Sequence, residues 1–115
     1  MTIGTLKEEA ACGFLERTGY TVVERNFRSR SGEIDVVARL GDMLVFVEVR
    51  YRKAGSLVGA EESVTCEKAR RIRMAVKRYL CVRGIADSVP VRVDLCVVRD
   101  QGQLFEIVPG IIEFG

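Results

Sequence analysis

The alternation of apolar and polar positions is clearest between Gly32 and Arg52, and the rest of the chain is read outward from there. Gly32 to Leu40 and Met43 to Arg52 are two runs rich in β-branched and aromatic residues, separated by Gly41-Asp42. Such runs joined by a two-residue connection predict an antiparallel hairpin. Counting back from the loop sets Leu40 opposite Met43, Val37 opposite Phe46, Asp35 opposite Glu48 and Glu33 opposite Arg50. Because side chains alternate, the four charged groups share a face with Val37, Leu44 and Phe46, while Ile34, Val36, Val45, Val47 and Val49 take the other. Apolar residues on both faces predict a strand pair covered on both sides.

Leu6, Ala10, Ala11, Phe14 and Leu15 recur at helical spacing and predict a helix from about Leu6 to Thr18, stopped at Gly19. Tyr20 to Phe27 reads as a strand that turns through Arg28-Ser29-Arg30-Ser31-Gly32 into the hairpin, and Lys53 to Glu62 reads as a Gly-containing loop. Ser63 or Thr65 caps a second helix that runs to about Val82 before Gly84, with Ala69, Ile72, Val76, Tyr79 and Leu80 as its buried stripe. Val89 to Arg99 alternates as a strand, Asp100-Gln101-Gly102 turns, and Gln103 to Val108 is a last strand. The order α-β-β-β-α-β-β predicts one mixed α/β domain over residues 1–115, with a sheet between helices.

Composition narrows the chemistry. The 115 residues are 48% apolar and 30% charged, with no stretch near the roughly 20 apolar residues of a membrane span and no signal-like N-terminus, so a cytoplasmic protein is expected. There is no histidine, which excludes His-based triads and His metal sites, and the four cysteines are scattered, which predicts buried reduced thiols rather than a zinc site. Net charge is only +2, but ten of the eighteen Lys and Arg lie between Arg50 and Arg83 against three acids, leaving eight against thirteen elsewhere. A basic segment beside an acidic cluster suits a phosphate-backbone ligand.

Asp35 facing Glu48 is the candidate site. Carboxylates directly opposite destabilise a sheet unless compensated, and hard oxygen ligands so placed suit Mg²⁺ or Mn²⁺. The competing reading is an ordinary Glu33–Arg50 ion pair beside two solvated acids. Nucleic-acid contacts are expected from Arg28 and Arg30 in the turn, Arg52 after the hairpin, and Arg70, Arg71, Arg73, Lys77 and Arg78 on the second helix, against the alternative of a solvated basic face. Asp94 is either structural or part of the acidic cluster.

The chain resembles the YraN-like family of proposed bacterial endonucleases, within the restriction-endonuclease-like or PD-(D/E)xK superfamily. The resemblance rests on Glu8, Ala11, Phe14 and Leu15; Gly19-Tyr20; Arg25-Asn26-Phe27-Arg28; Gly32-Glu33-Ile34-Asp35; Val45-Phe46-Val47-Glu48-Val49-Arg50; Glu62-Ser63-Val64-Thr65 with Lys68; Tyr79-Leu80; and Arg92-Val93-Asp94. It implies a four- to five-stranded mixed sheet flanked by helices, and metal-dependent cleavage of nucleic acid, with DNA, including branched or junction DNA, as the expected partner. It also implies that Asp35 and Glu48 hold Mg²⁺ or Mn²⁺ for in-line attack of water on phosphorus, and that Glu8 is an acidic helix residue added to that metal site. Two positions depart from the pattern. Lys7 stands where glycine is usual, and Arg50 stands where the superfamily has lysine; arginine is a poor general base but stabilises phosphate charge, and Lys68 is the candidate for the missing amine. The alternative function is a non-catalytic nucleic-acid-binding module with the same fold, and a third is a protein-interaction adaptor. Cutting both strands of a duplex would call for a homodimer.

Overall fold

Both helices end where the sequence places a glycine. In the computed structural model, which describes residues 3–52, 64–99 and 104–112 with side chains from residue 8, helix α1 spans Ile3–Arg17 and helix α2 spans Cys66–Val82. Gly19 follows α1 with φ +103°; its N–H donates to the Glu16 carbonyl at 3.3 Å and that of Tyr20 to the Leu15 carbonyl at 3.0 Å. Gly84 repeats this after α2, with Gly84 N–H on Cys81 at 3.2 Å and Ile85 N–H on Leu80 at 2.9 Å. This is the Schellman pattern, which satisfies carbonyls that the helix leaves over. At the other end of α2, Thr65 Oγ1 accepts the Lys68 N–H at 3.1 Å, so Thr65 is the cap.

The strands are β1 (Thr21–Ser29), β2 (Gly32–Leu40), β3 (Met43–Tyr51), β4 (Val91–Arg99) and β5 (Leu104–Ile112), in one five-stranded sheet ordered β1-β2-β3-β4-β5. β3 and β4 are parallel and the other neighbours antiparallel. Parallel neighbours need a long crossover, and α2 lies within it. On one face Ile72, Ala75, Val76 and Tyr79 of α2 pack on Phe27, Val37, Phe46 and Val93. On the other, Ala11, Cys12 and Leu15 of α1 pack on Val36, Val45, Val47 and Cys96.

The expected mixed α/β architecture, a sheet between helices, is therefore what forms. β5 runs farther than expected, to Ile112, and the expected loop at 53–62 and turn at 100–102 lie outside the described residues. Of the cysteines, Cys12 and Cys96 are buried thiols, but Cys66 and Cys81 are exposed on α2, correcting the expectation for those two. No described helix is long and apolar enough to cross a membrane.

Asp94 is a structural group. Its carboxylate is 0% exposed and takes two bonds from Arg92 at 2.7 Å each, one from the Tyr20 hydroxyl at 3.0 Å and one from the Gly110 N–H at 3.0 Å. It ties β4 to β5 and to the α1–β1 junction. Removing one partner of such a buried network leaves the others unpaired, so Asp94→Ala should cost about 3–5 kcal/mol and Tyr20→Phe about 1 kcal/mol. Urea unfolding midpoints measure both.

Candidate functional site

Cross-strand pairing of β2 with β3 follows the expected count from Leu40–Met43 through Val37–Phe46 to Val36–Val47, and stops there. Beyond it, Asp35 Oδ2 accepts the Val49 N–H at 2.8 Å. A side chain has taken a main-chain donor. The alternation also slips at this point: Ile34 and Val37 both pack beneath α2, whereas Val36 packs beneath α1. Ile34 therefore lies on the opposite face from the one expected. The neighbouring strand accommodates the slip at Asn26, which has φ +55° and lies between the Arg25–Val36 and Phe27–Ile34 pairs. Asparagine enters that left-handed region more readily than most residues.

Glu48 is 8% exposed and stands on the α2 side of β3 with Phe46. Arg50, two residues on and thus on the same face, places Nη2 2.8 Å from Glu48 Oε1. Lys68 Nζ comes to 3.1 Å from the same oxygen. Lys68 reaches it because it lies one turn before buried Ile72, on the sheet-facing stripe of α2. The expected Glu33–Arg50 pairing gives way to other partners: Glu33 pairs with Arg28 across β1–β2, with an exposed ion pair at 3.6 Å, and Arg50 pairs with Glu48. The cause is the split itself, which takes Glu33 out of the β2–β3 ladder.

Burial and the neighbouring Glu48 charge push the Asp35 carboxyl up to about 7, against the pull of the Val49 N–H and Arg50. Glu8 adds to the upward push from α1. Burial also raises Glu48, while Arg50 and a hydrogen bond with Asp35 lower it. Among the described residues no three Asp, Glu, Cys or His side chains gather at metal-ligating spacing, and Glu8 acts on Asp35 through its charge. The half-buried Asp35 and buried Glu48 carboxylates are still a suitable donor set for Mg²⁺ or Mn²⁺, which keeps waters and takes further oxygens from substrate phosphate.

The pair forms the floor of a cleft of about 490 Å³. One wall is the β1–β2 turn, with Arg28, Ser29, Arg30 and Ser31; the other is α2, with Lys68, Arg71 and Ile72. Ser29 Oγ donates to the Gly32 carbonyl at 2.9 Å and closes the turn. Of the expected phosphate-contacting residues, Arg28, Arg30 and Arg71 line this cleft, whereas Arg52, Arg70, Arg73, Lys77 and Arg78 do not. Arg70, Lys77 and Arg78 are exposed along α2, and Arg73 is half-buried. Gly32 lets the two walls meet: a Cβ there would stand 3.0 Å from the Arg71 carbonyl oxygen. The glycine between two strand patterns was the available signal for this contact, but nothing in the sequence announces its partner on α2.

The family model described as Uncharacterised protein family UPF0102 matches residues 7–98. A UPF0102 protein of Desulforapulum autotrophicum is 44% identical over 91% of this chain and 86% of its own length. One from Dechloromonas aromatica is 48% identical over 88% of this chain and 81% of its own. Another, from Lachnoclostridium phytofermentans, is 44% identical over 83% and 80%.

The raised Asp35 carboxyl gives the metal-free protein a pH signature. Between about pH 4 and 7 the folded chain keeps a proton that the unfolded chain has released, so stability falls as pH rises through that window and levels off above it. Asp35→Asn removes the penalty. In EDTA it should be more stable than wild type by about 1–2 kcal/mol at pH 8 and indistinguishable from it near pH 4, as read by urea unfolding at the two pH values.

Proposed function

This chain belongs to the UPF0102 family, and we propose that it is a metal-dependent endonuclease that hydrolyses phosphodiester bonds in DNA, built on a restriction-endonuclease-like fold. The single observation carrying the reading is the convergence of Asp35, Glu48, Arg50 and Lys68, from two strands and a helix, on the floor of one basic-walled cleft. Isolated buried acids are costly, and a built cluster of them with raised pKa in a cleft is a site signal. The five-stranded mixed sheet between two helices supports the fold reading.

Asp35 and Glu48 would hold Mg²⁺ or Mn²⁺, whose contribution when bound is to lower the pKa of the attacking water and offset charge on the phosphate. Arg28, Arg30 and Arg71 steer the backbone into the cleft, and their charges supply a salt-dependent share of affinity. Arg50 remains protonated and stabilises charge gathering on the phosphate oxygens. Lys68 supplies the mobile amine that an arginine at position 50 cannot, and it can orient the water or protonate the leaving oxygen.

A second reading, a binding module that does not cut, is favoured by one observation: both cations already neutralise Glu48. The test is cleavage of labelled single-stranded, duplex and four-way-junction DNA in Mg²⁺ or Mn²⁺. Wild type should give metal-dependent products, and Asp35→Asn, Glu48→Gln and Lys68→Ala should each lower the rate at least about a hundredfold. Binding without cleavage under every metal condition would establish the binding module instead, and Lys68→Ala at the wild-type rate would remove Lys68 from the mechanism. Affinity itself should fall about 10²–10³-fold between 50 and 200 mM salt, as four or five phosphate contacts require.

A further inference from the structure

Arg50 Nη2 and Lys68 Nζ meet on a single oxygen, Glu48 Oε1, at 2.8 and 3.1 Å. Among the described residues neither cation makes another ion pair. The acid between them is fixed, with its side chain 9% exposed, while the Arg50 and Lys68 side chains keep 27% and 23% of their surface toward the cleft. One carboxylate oxygen thus holds two long, partly solvated cations at the place where a divalent ion would bind and a phosphate would lie.

Resting on the nuclease reading, we propose that Arg50 and Lys68 are exchangeable counter-ions of Glu48: they occupy its oxygen while no divalent cation is present, and transfer to the substrate phosphate when one binds. Counting formal charges, Asp35 and Glu48 against Arg50 and Lys68 make the floor neutral. A divalent ion added alone leaves it at +2 with two displaced cations, and a phosphodiester added alone must draw cations off a buried acid. Added together, each ligand supplies what the other lacks. Metal and nucleic acid therefore raise each other's affinity by the same factor, as linkage requires. The walls suit this exchange, since Arg28 and Arg71 line the same cleft and would receive the neighbouring phosphates.

The exchange makes an unusual demand on Lys68: removing it should improve metal binding. Mn²⁺ would be titrated calorimetrically into metal-free wild type, Lys68→Met, Arg50→Met and, as a charge-matched control on exposed β2 surface, Arg39→Met, each alone and with a single-stranded phosphorothioate oligonucleotide. Wild type should bind Mn²⁺ about tenfold more tightly with the oligonucleotide present, within the usual range of coupling between sites. Lys68→Met and Arg50→Met should each bind Mn²⁺ about five- to tenfold more tightly than wild type without it, and should gain correspondingly less from its addition. Arg39→Met should behave as wild type. Lys68→Gln, read beside a thermal melt, guards against a folding defect in the Met variant. Mn²⁺ binding that is lost in Asp35→Asn yet no tighter in Lys68→Met, Lys68→Gln or Arg50→Met would overturn the exchange and leave the nuclease reading standing. No saturable Mn²⁺ binding by wild type in either condition would overturn both.

Discussion

The bond from the Val49 N–H to the Asp35 carboxylate is where the sheet and the site become one problem. A ladder hydrogen bond within a sheet contributes on the order of 1 kcal/mol, so giving a main-chain donor to a side chain is a modest loss. The geometric consequence is larger. β2 parts from β3 after Val36–Val47, and β3 continues with β4 alone, pairing through Tyr51–Val98 and then through the Arg52 N–H to the Val98 carbonyl at 2.9 Å. The two acids thus sit at a seam, close enough to repel, shielded enough for that repulsion to matter, and open on the side where β2 has moved away.

What holds the seam at working width comes from α2. Thr65 fixes where the helix begins, the stripe of Ile72, Val76 and Tyr79 fixes its rotation, and together they deliver Lys68 over the sheet to Glu48. At the far end, Arg83 lies over the rings of Phe27 and Tyr79 at 5.5 and 5.4 Å and forms a forked pair with Glu24 of β1. Helix α2 is therefore fastened to β1 at one end and suspended over the acids at the other, with Gly32 admitting the turn against its backbone between them.

Much of this was legible in the residues, and the exceptions have physical causes. Helical spacing and runs of β-branched and aromatic residues placed all seven elements, because the helices each bury a stripe and the central strands are covered on both faces. The hairpin count predicted the register through Val36–Val47, because a two-residue loop leaves no freedom of slip. It failed for Glu33 and Ile34 because strict alternation assumes an unbroken ladder, and nothing in the pattern of letters says that Asp35 will bond to a backbone N–H. Lys68 entered only through the resemblance, as the candidate for the missing amine; its place one turn before buried Ile72 is what brings it to Glu48. Asp94 was undecidable, since its partners Tyr20 and Gly110 are 74 and 16 residues away.

One of those partners has a further implication. Gly110 lies beyond residues 7–98, the part of the chain that matches the family, yet its N–H completes the coordination of an acid inside that part. The donor is main chain. It comes from a residue at φ +63°, a left-handed conformation that glycine adopts freely and most other residues do not, so Asp94 requires of the last strand both a path and this glycine. The buried acid of β4 is thus closed off from β5 by backbone geometry, and a Cβ at Gly110 would strain the turn of chain that presents the N–H.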